Sequence, residues 1–354
     1  MCAELRLLAL DWHWAYWPAC VLDLLEHWDL LLDERWRSRL LWQDYLQTYE
    51  RERSEVVQGT WSTLAVPLEQ KPPHKEAKPA LVTGLKAHLR DTKTHGIAAM
   101  IACFAREFYS FYAVAPLSDD PFELAIDLQS PKDALRISSE VRAFISLCEK
   151  AINVYYNSAD LPSALVHELV VERVFTTQVN EVLLAVFAAD DREKMLKIEA
   201  KAGLYADLTC SSLGISPFFS VDRTKPGQSP DSAYEKAILA LKGLPTAISP
   251  YKKLKFLVKT THLICKSIDA YWADTPDMDR ALLEVTTDQI LRIYLYLVLQ
   301  ARAPALGLHV RMMQEFLGKD VLQSAFGYYV STLEAAVEWT AELNSAFLGK
   351  LIGK

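Results

Sequence analysis

Thr286-Thr287-Asp288-Gln289-Ile290-Leu291-Arg292-Ile293-Tyr294-Leu295-Tyr296-Leu297-Val298-Leu299 is the stretch that decides the fold. Ile290, Ile293, Tyr294, Leu297 and Ala301 recur at helical spacing, and Leu291, Leu295, Val298 and Leu299 cover much of the remaining surface. Only Arg292 and Gln300 interrupt the apolar run. A helix apolar on nearly every side has to be enclosed by others, so this one reads as the central rod of a bundle. Thr286-x-x-Gln289 marks its start. Downstream, Gly327-Tyr328-Tyr329-Val330-Ser331-Thr332-Leu333-Glu334-Ala335-Ala336-Val337-Glu338-Trp339 reads as a corner that opens a second helix, with Ser331 and Glu334 spaced as its capping box.

Working outward, the composition agrees with a helical chain. The 354 residues allow a sizeable core in one large domain or two modest ones. Only 12 are glycine, which disfavours Gly-rich phosphate loops and turn-dense β architectures. A net charge of −7 argues against general binding of nucleic acid or of anionic membranes, both of which need a dense basic surface. Cys2, Cys20, Cys103, Cys148, Cys210 and Cys265 are scattered, never spaced Cys-x-x-Cys, and most lie in apolar helical contexts, as buried thiols in a reducing cytosol do. The apolar N-terminus carries Glu4, Asp11, Asp23 and Glu26 without a basic leader, which makes it a poor signal peptide. No uncharged apolar run approaches the length of a membrane span.

The chain divides by composition. Residues 1–65 hold seven of the nine tryptophans and read either as a helical layer packed on the body or as an extension that docks a partner. Residues 66–80, with Pro67, Pro72, Pro73 and Pro79 among lysines, read as a linker. A helical layer follows at 81–157, built on Ile97, Ile101, Phe104 and Phe108, then on Val141, Phe144, Ile145, Cys148 and Ile152, with a loop from Pro116 to Pro131. Beyond Asn157, helices are expected from about Pro162 to Phe187 and from Ala188 to Leu208. Ser232-x-x-Glu235 is read as a capping box, and Ser249-Pro250 starts a helix whose Leu254, Leu257, Val258, Cys265 and Ile268 form a buried stripe. No strand pattern of comparable strength occurs, so the expected class is all-α.

Covalent chemistry finds little support. The Gly-x-x-x-x-Gly-Lys-Ser/Thr, Gly-x-Gly-x-x-Gly and Gly-x-Ser-x-Gly signatures are absent, and His167-Glu168 lacks the second histidine of a zincin. The dispersed histidines show no ligand spacing, so neither a metal nor a cofactor is expected. Lys252, Lys253, Lys255 and Lys259 read as a solvated basic edge rather than a lipid or acidic-partner patch. By spacing alone, Asp288 is an acid favoured by the helix dipole, Ser331 a cap, and Tyr328 and Tyr329 core aromatics.

The segment Gly327 to Glu338 nevertheless resembles the end of the Vps-nine (vacuolar protein sorting nine) domain, whose pattern is Gly-Tyr-Tyr-Leu/Phe-Thr-Ser/Asn-Leu followed by a helix. Thr287-Asp288-Gln289-Ile290-Leu291 resembles that family's Ala-Asp-Asp/Glu plus two apolar residues. Tyr296-Leu297-Val298-Leu299 is similar to its Tyr-led helix, Arg302-Ala303-Pro304 to its Asn-Pro-Pro turn, and Ser249-Pro250 with Lys253-Leu254 to its Pro-x-x-Lys-Leu helix start. The resemblance places a Vps-nine-like domain at 158–345 with its core at 232–340, behind the helical layer at 81–157.

That resemblance implies guanine-nucleotide exchange on endosomal small GTPases of the Rab-five subfamily, without covalent chemistry. The acid opening the central helix, here Asp288, would be an aspartic finger that engages the GTPase's P-loop lysine and displaces Mg²⁺ and phosphate contacts. Tyr328 and Ser331 would contact the GTPase, with Tyr329, Pro304 and Arg292 beside them. The protein would be cytosolic and recruited to early endosomes by its partners. Departures from the family pattern are Gln289 for a second acid, Arg292 for proline, Arg302 for asparagine, and Ala325 for the glutamate of a Gly-Glu-x-Gly turn. Arg292 stands one helical turn from Asp288, where pairing with it would weaken the finger. The competing readings are a Rab-binding scaffold of the same fold without exchange activity, and a helical adaptor unrelated to GTPases.

Overall fold

A computed structural model describes residues 77–91, 96–112, 132–155, 161–221, 234–273, 275, 283, 285–303 and 305–352. The Trp-rich segment 1–65, most of the linker at 66–80 and the whole Pro116–Pro131 loop lie outside the described residues. Among the described residues the chain is helical and contains no strand, as the all-α reading requires. None of their helices is long and apolar enough to cross a membrane. The chain forms two compact units that divide between Leu183 and Leu184.

The first unit contains α1 (Ala77–His88), α2 (Gly96–Tyr112), α3 (Lys132–Tyr155), α4 (Ser163–Val174) and the first part of α5 (Thr177–Asp190). α1 begins inside the stretch read as linker. Pro79 falls in its first turn, where a missing N–H costs no hydrogen bond. Ile97, Ile101, Phe104 and Phe108 of α2 and Val141, Phe144, Ile145, Cys148 and Ile152 of α3 are buried, as their spacing predicts. The Phe104 and Phe144 rings stack with centroids 3.9 Å apart, and the Tyr112 hydroxyl donates to Glu140 at 2.6 Å. The expected long helix from Pro162 is instead two, α4 and α5. Thr176 breaks it, because its hydroxyl accepts the Val179 N–H at 3.3 Å and caps α5.

The second unit holds the central rod. It contains α6 (Arg192–Leu204), a 3₁₀ turn at Ser211–Leu213, α7 (Glu235–Gly243), a 3₁₀ turn at Leu244–Thr246, α8 (Pro250–Trp272) and α9 (Thr287–Ala301). α10 (Leu306–Phe316), the single turn α11 (Lys319–Leu322), α12 (Ala325–Glu342) and α13 (Ser345–Ile352) complete it. α9 is enclosed by α6, α7 and α12, while α8 lies against α7, α10 and α12. All residues of α9 from Ile293 to Leu299 are buried, which is the expected consequence of an apolar circumference. Thr286 accepts the Gln289 N–H, and Ser249 accepts the Lys252 N–H with Pro250 at the first helical position, so both expected helix starts form.

Three local expectations fail. Tyr234 caps α7 from a left-handed backbone (φ 60°) with no side-chain cap, while Ser232, the proposed box partner of Glu235, lies outside the described residues. On α8, Leu254, Leu257 and Ile268 are buried, but Val258 is half-buried and Cys265 is exposed. The inward face turns instead through Thr261 and Ile264. Lys253 also leaves the expected solvated edge. It is fully buried and donates to the Ala247 carbonyl, because the i, i+4 spacing from Lys253 to Leu257 puts it on the core face.

Candidate functional site

The first turn of α9 carries Asp288. Backbone N–H groups there lack intrahelical partners and give the helix end a partial positive charge, so a carboxylate is favoured. The α9 rod is fixed on its buried sides, whereas the Asp288 side chain remains 58% exposed. One helical turn on, Arg292 Nε donates to Asp288 Oδ2 at 2.8 Å. Nη1 of the same guanidinium donates to the carbonyls of Leu213 at 3.4 Å, Gly214 at 3.3 Å and Leu351. The Arg292 side chain is only 16% exposed. The pair with Asp288 is therefore present, but Arg292 is turned into the protein rather than outward as the expected GTPase contact. Its guanidinium is committed to three internal carbonyls. Gln289, in the place of a second acid, accepts the Ser216 N–H at 2.8 Å and holds the same loop.

α12 supplies the second part of the site. Ser324 caps it by accepting the Phe326 N–H at 3.1 Å, so the helix starts ahead of Gly327. Ser331 is consequently an exposed residue of the helix interior and not its cap, and no capping box forms with Glu334. The early start depends on Gly327, where a Cβ would overlap the Leu322 carbonyl. Tyr328 is 40% exposed, and Ser331 follows it at i+3 on the same side of the helix. Tyr329 is half-buried, its ring centroid 5.9 Å from that of Tyr328. Phe326, 45% exposed in the first turn, adds an aromatic that the motif pattern did not single out. Its signal was its place directly before the glycine in a surface turn.

Beneath these residues a polar contact joins α8 and α9. Tyr294 of α9 is fully buried, and its hydroxyl pairs with Thr261 of α8 at 2.7 Å. Burial pushes the Tyr294 phenol well above its usual range. The Thr261 hydrogen bond works the other way, and nearby Tyr329 and Tyr328 add slightly to the rise. Nearby in the same unit, burial lowers Lys253 to about 8. Burial, with the Lys253 charge second, lowers His309 to about 3, and neither ring nitrogen of His309 has a hydrogen-bond partner.

The turn after α9 is the last expected feature. Arg302 caps the helix in the left-handed region at φ 50°. That conformation suits the asparagine of the family pattern better than a long side chain. Pro304 lies outside the described residues. Among the described residues no group of three or more His, Cys, Asp or Glu side chains is placed to hold a metal ion. What the site presents is one exposed carboxylate at the end of a rigid helix and an aromatic and hydroxyl-bearing face on a helix packed against it.

Residues 234–345 match the model of the vacuolar sorting protein 9 (VPS9) domain. This is a helical domain of guanine-nucleotide exchange factors for Rab GTPases. Among curated proteins, none matches the chain.

Proposed function

We propose that the chain, whose residues 234–345 match the VPS9 domain model, is an exchange factor for Rab GTPases of the Rab-five subfamily, with Asp288 as its aspartic finger. The observation that carries the reading is an exposed carboxylate at the N-terminus of a helix that is otherwise buried. A rod held on its sides delivers its first turn without reorganisation, which is what a group inserted into another protein's nucleotide site requires. Tyr328, Ser331 and Tyr329 of α12, together with Phe326, would hold the switch residues of the GTPase while Asp288 reaches the P-loop lysine.

The electrostatics are sufficient. A carboxylate about 4 Å from an ammonium gains roughly 4 kcal/mol at an effective dielectric near 20. Each 1.4 kcal/mol or so is tenfold in rate, so a contact made only in the nucleotide-free complex supplies up to about three decades of GDP release. No bond is made or broken. The protein exchanges one set of ionic contacts on the GTPase for another, and cellular GTP completes the cycle by displacing the finger. The site of action would be the early endosome, reached through the GTPase and other partners.

The Asp288–Arg292 pair favours a second reading, a scaffold of the same fold that binds a Rab protein without accelerating release. Release of fluorescent GDP from a panel of Rab proteins distinguishes the two. Rapid release that Asp288→Ala abolishes supports the exchange factor, whereas tight binding of nucleotide-free Rab without release supports the scaffold. No binding to any Rab overturns both.

A further inference from the structure

We propose that Arg292 is a positioning residue that restrains the Asp288 carboxylate, and that the turn at Gly214 and the last helix, α13, hold it in that role. The inference rests on the reading of Asp288 as the finger and adds a control on it. Four hydrogen bonds converge on one guanidinium. Nε holds Asp288 Oδ2 at 2.8 Å, and Nη1 is shared among the Leu213, Gly214 and Leu351 carbonyls. The carbonyl contacts leave Arg292 largely buried while its carboxylate partner stays mostly exposed. An ordinary surface arginine loses side-chain entropy each time it pairs. Here the carbonyls have already fixed the side chain, so the pair with Asp288 forms at little further entropic cost.

Gly214 is independent evidence that this pocket is built around the guanidinium. Its φ is +69°, and a Cβ there would overlap both Arg292 Nη1 and the Leu351 carbonyl oxygen. α13 contacts the 3₁₀ turn at Ser211–Leu213 that precedes Gly214, so the two anchoring segments meet at Arg292. Any movement of α13 or of the turn therefore changes the grip on Asp288.

The direction of the effect follows from competition. A GTPase lysine approaching Asp288 has to displace a guanidinium already hydrogen-bonded to the carboxylate. The net gain is then the difference between two ionic contacts and smaller than a contact formed with a free carboxylate. The pair has to be broken only in the nucleotide-free complex, since the finger is engaged only there. It lowers kcat and leaves the affinity for the GDP-bound GTPase untouched.

The test uses the full chain and a GTPase of the Rab-five subfamily loaded with fluorescent GDP. Arg292→Met keeps most of the side-chain volume and removes the competing charge, and it is expected to raise kcat about two- to fivefold, the range of a partly exposed ion pair, at unchanged KM. Arg292→Lys keeps a charge without the fork and is expected to fall between wild type and Arg292→Met. Gly214→Ala leaves Asp288 and Arg292 in place but crowds the guanidinium off its carbonyl anchors, and is expected to raise kcat in the same direction. An unchanged or lower kcat for Arg292→Met, or a change confined to KM, overturns the proposal. If wild type releases GDP from no Rab protein, the exchange reading itself fails. The restraint is then judged by urea unfolding of Asp288→Asn, Arg292→Met and the double variant, where a non-additive midpoint shift upholds the latch and additivity overturns it.

Discussion

Two cations in the second unit are held by backbone carbonyls, and they serve opposite ends. Lys253 is fully buried, donates to the Ala247 carbonyl and, with burial, helps hold the nearby His309 neutral. Arg292 donates to the carbonyls of Leu213, Gly214 and Leu351, yet its second face holds a carboxylate that is 58% exposed. The first arrangement is closed, and all of its groups are buried. The second is open on one side, so the same type of anchor leaves a charge available to a partner. The proposed finger lies where a fixed group is coupled to an exposed one.

The difference is sharpest in the cost of removal. Lys253→Met leaves the Ala247 carbonyl without its buried donor, and unfolding in urea is expected to show a loss of about 1–3 kcal/mol. Asp288→Asn removes only the exposed half of the open pair and leaves the carbonyl anchors of Arg292 in place, and is expected to cost under about 1 kcal/mol. Equal losses would erase the distinction between a closed and an open site.

Acid should act on the closed arrangement first. His309 is held neutral in the folded state down to about pH 3 by burial and by Lys253. The unfolded chain takes up that proton near pH 6.5. Between those values the unfolded state binds more protons, so stability is lost as pH falls from 6.5 toward 3. Urea midpoints measured from pH 7 down to pH 4 should decline less steeply in His309→Leu than in wild type, and an identical slope would show that His309 does not drive the loss. On the alkaline side, Lys253 loses its proton near 8 when folded and near 10.5 when unfolded, so its own contribution to stability increases across that interval.

The smallest expected effect lies at the far end of the rod. Arg302 sits at φ 50°, where a side chain with a Cβ is strained. Arg302→Gly relieves that strain and is expected to stabilise the domain by about 0.5–1 kcal/mol in urea unfolding, with no change in GDP release. A destabilised variant would mean that the Arg302 side chain makes contacts worth more than the strain.

How much of this was legible in the sequence depends on the range of the interaction. The rod, its Thr286 cap and the Ser249-Pro250 start are set by neighbours within a few residues, and each appears as read. Ser331 was misread because Ser331 and Glu334 satisfy a capping pattern, while the helix start is decided by Ser324 and by the approach of the Leu322 carbonyl to Gly327. Lys253 looked like one of four solvated lysines. Its spacing from Leu257 already put it on the inward face, but a lysine there needs a carbonyl that only the 3₁₀ turn at Leu244–Thr246 brings close. The Arg292 pair with Asp288 was readable at i, i+4. Its anchors on Leu213, Gly214 and Leu351 are 59 to 79 residues away and belong to tertiary structure alone.

Everything functional in this account passes through one carboxylate at the open end of the rod. The direct measurement is GDP release from a Rab-five subfamily GTPase by wild type and by Asp288→Ala, with folding of the variant checked by its unfolding midpoint. On the proposed mechanism wild type accelerates release, and Asp288→Ala, folded and still able to bind nucleotide-free GTPase, reduces the acceleration by up to about three decades. Acceleration undiminished in the folded Asp288→Ala variant would contradict it.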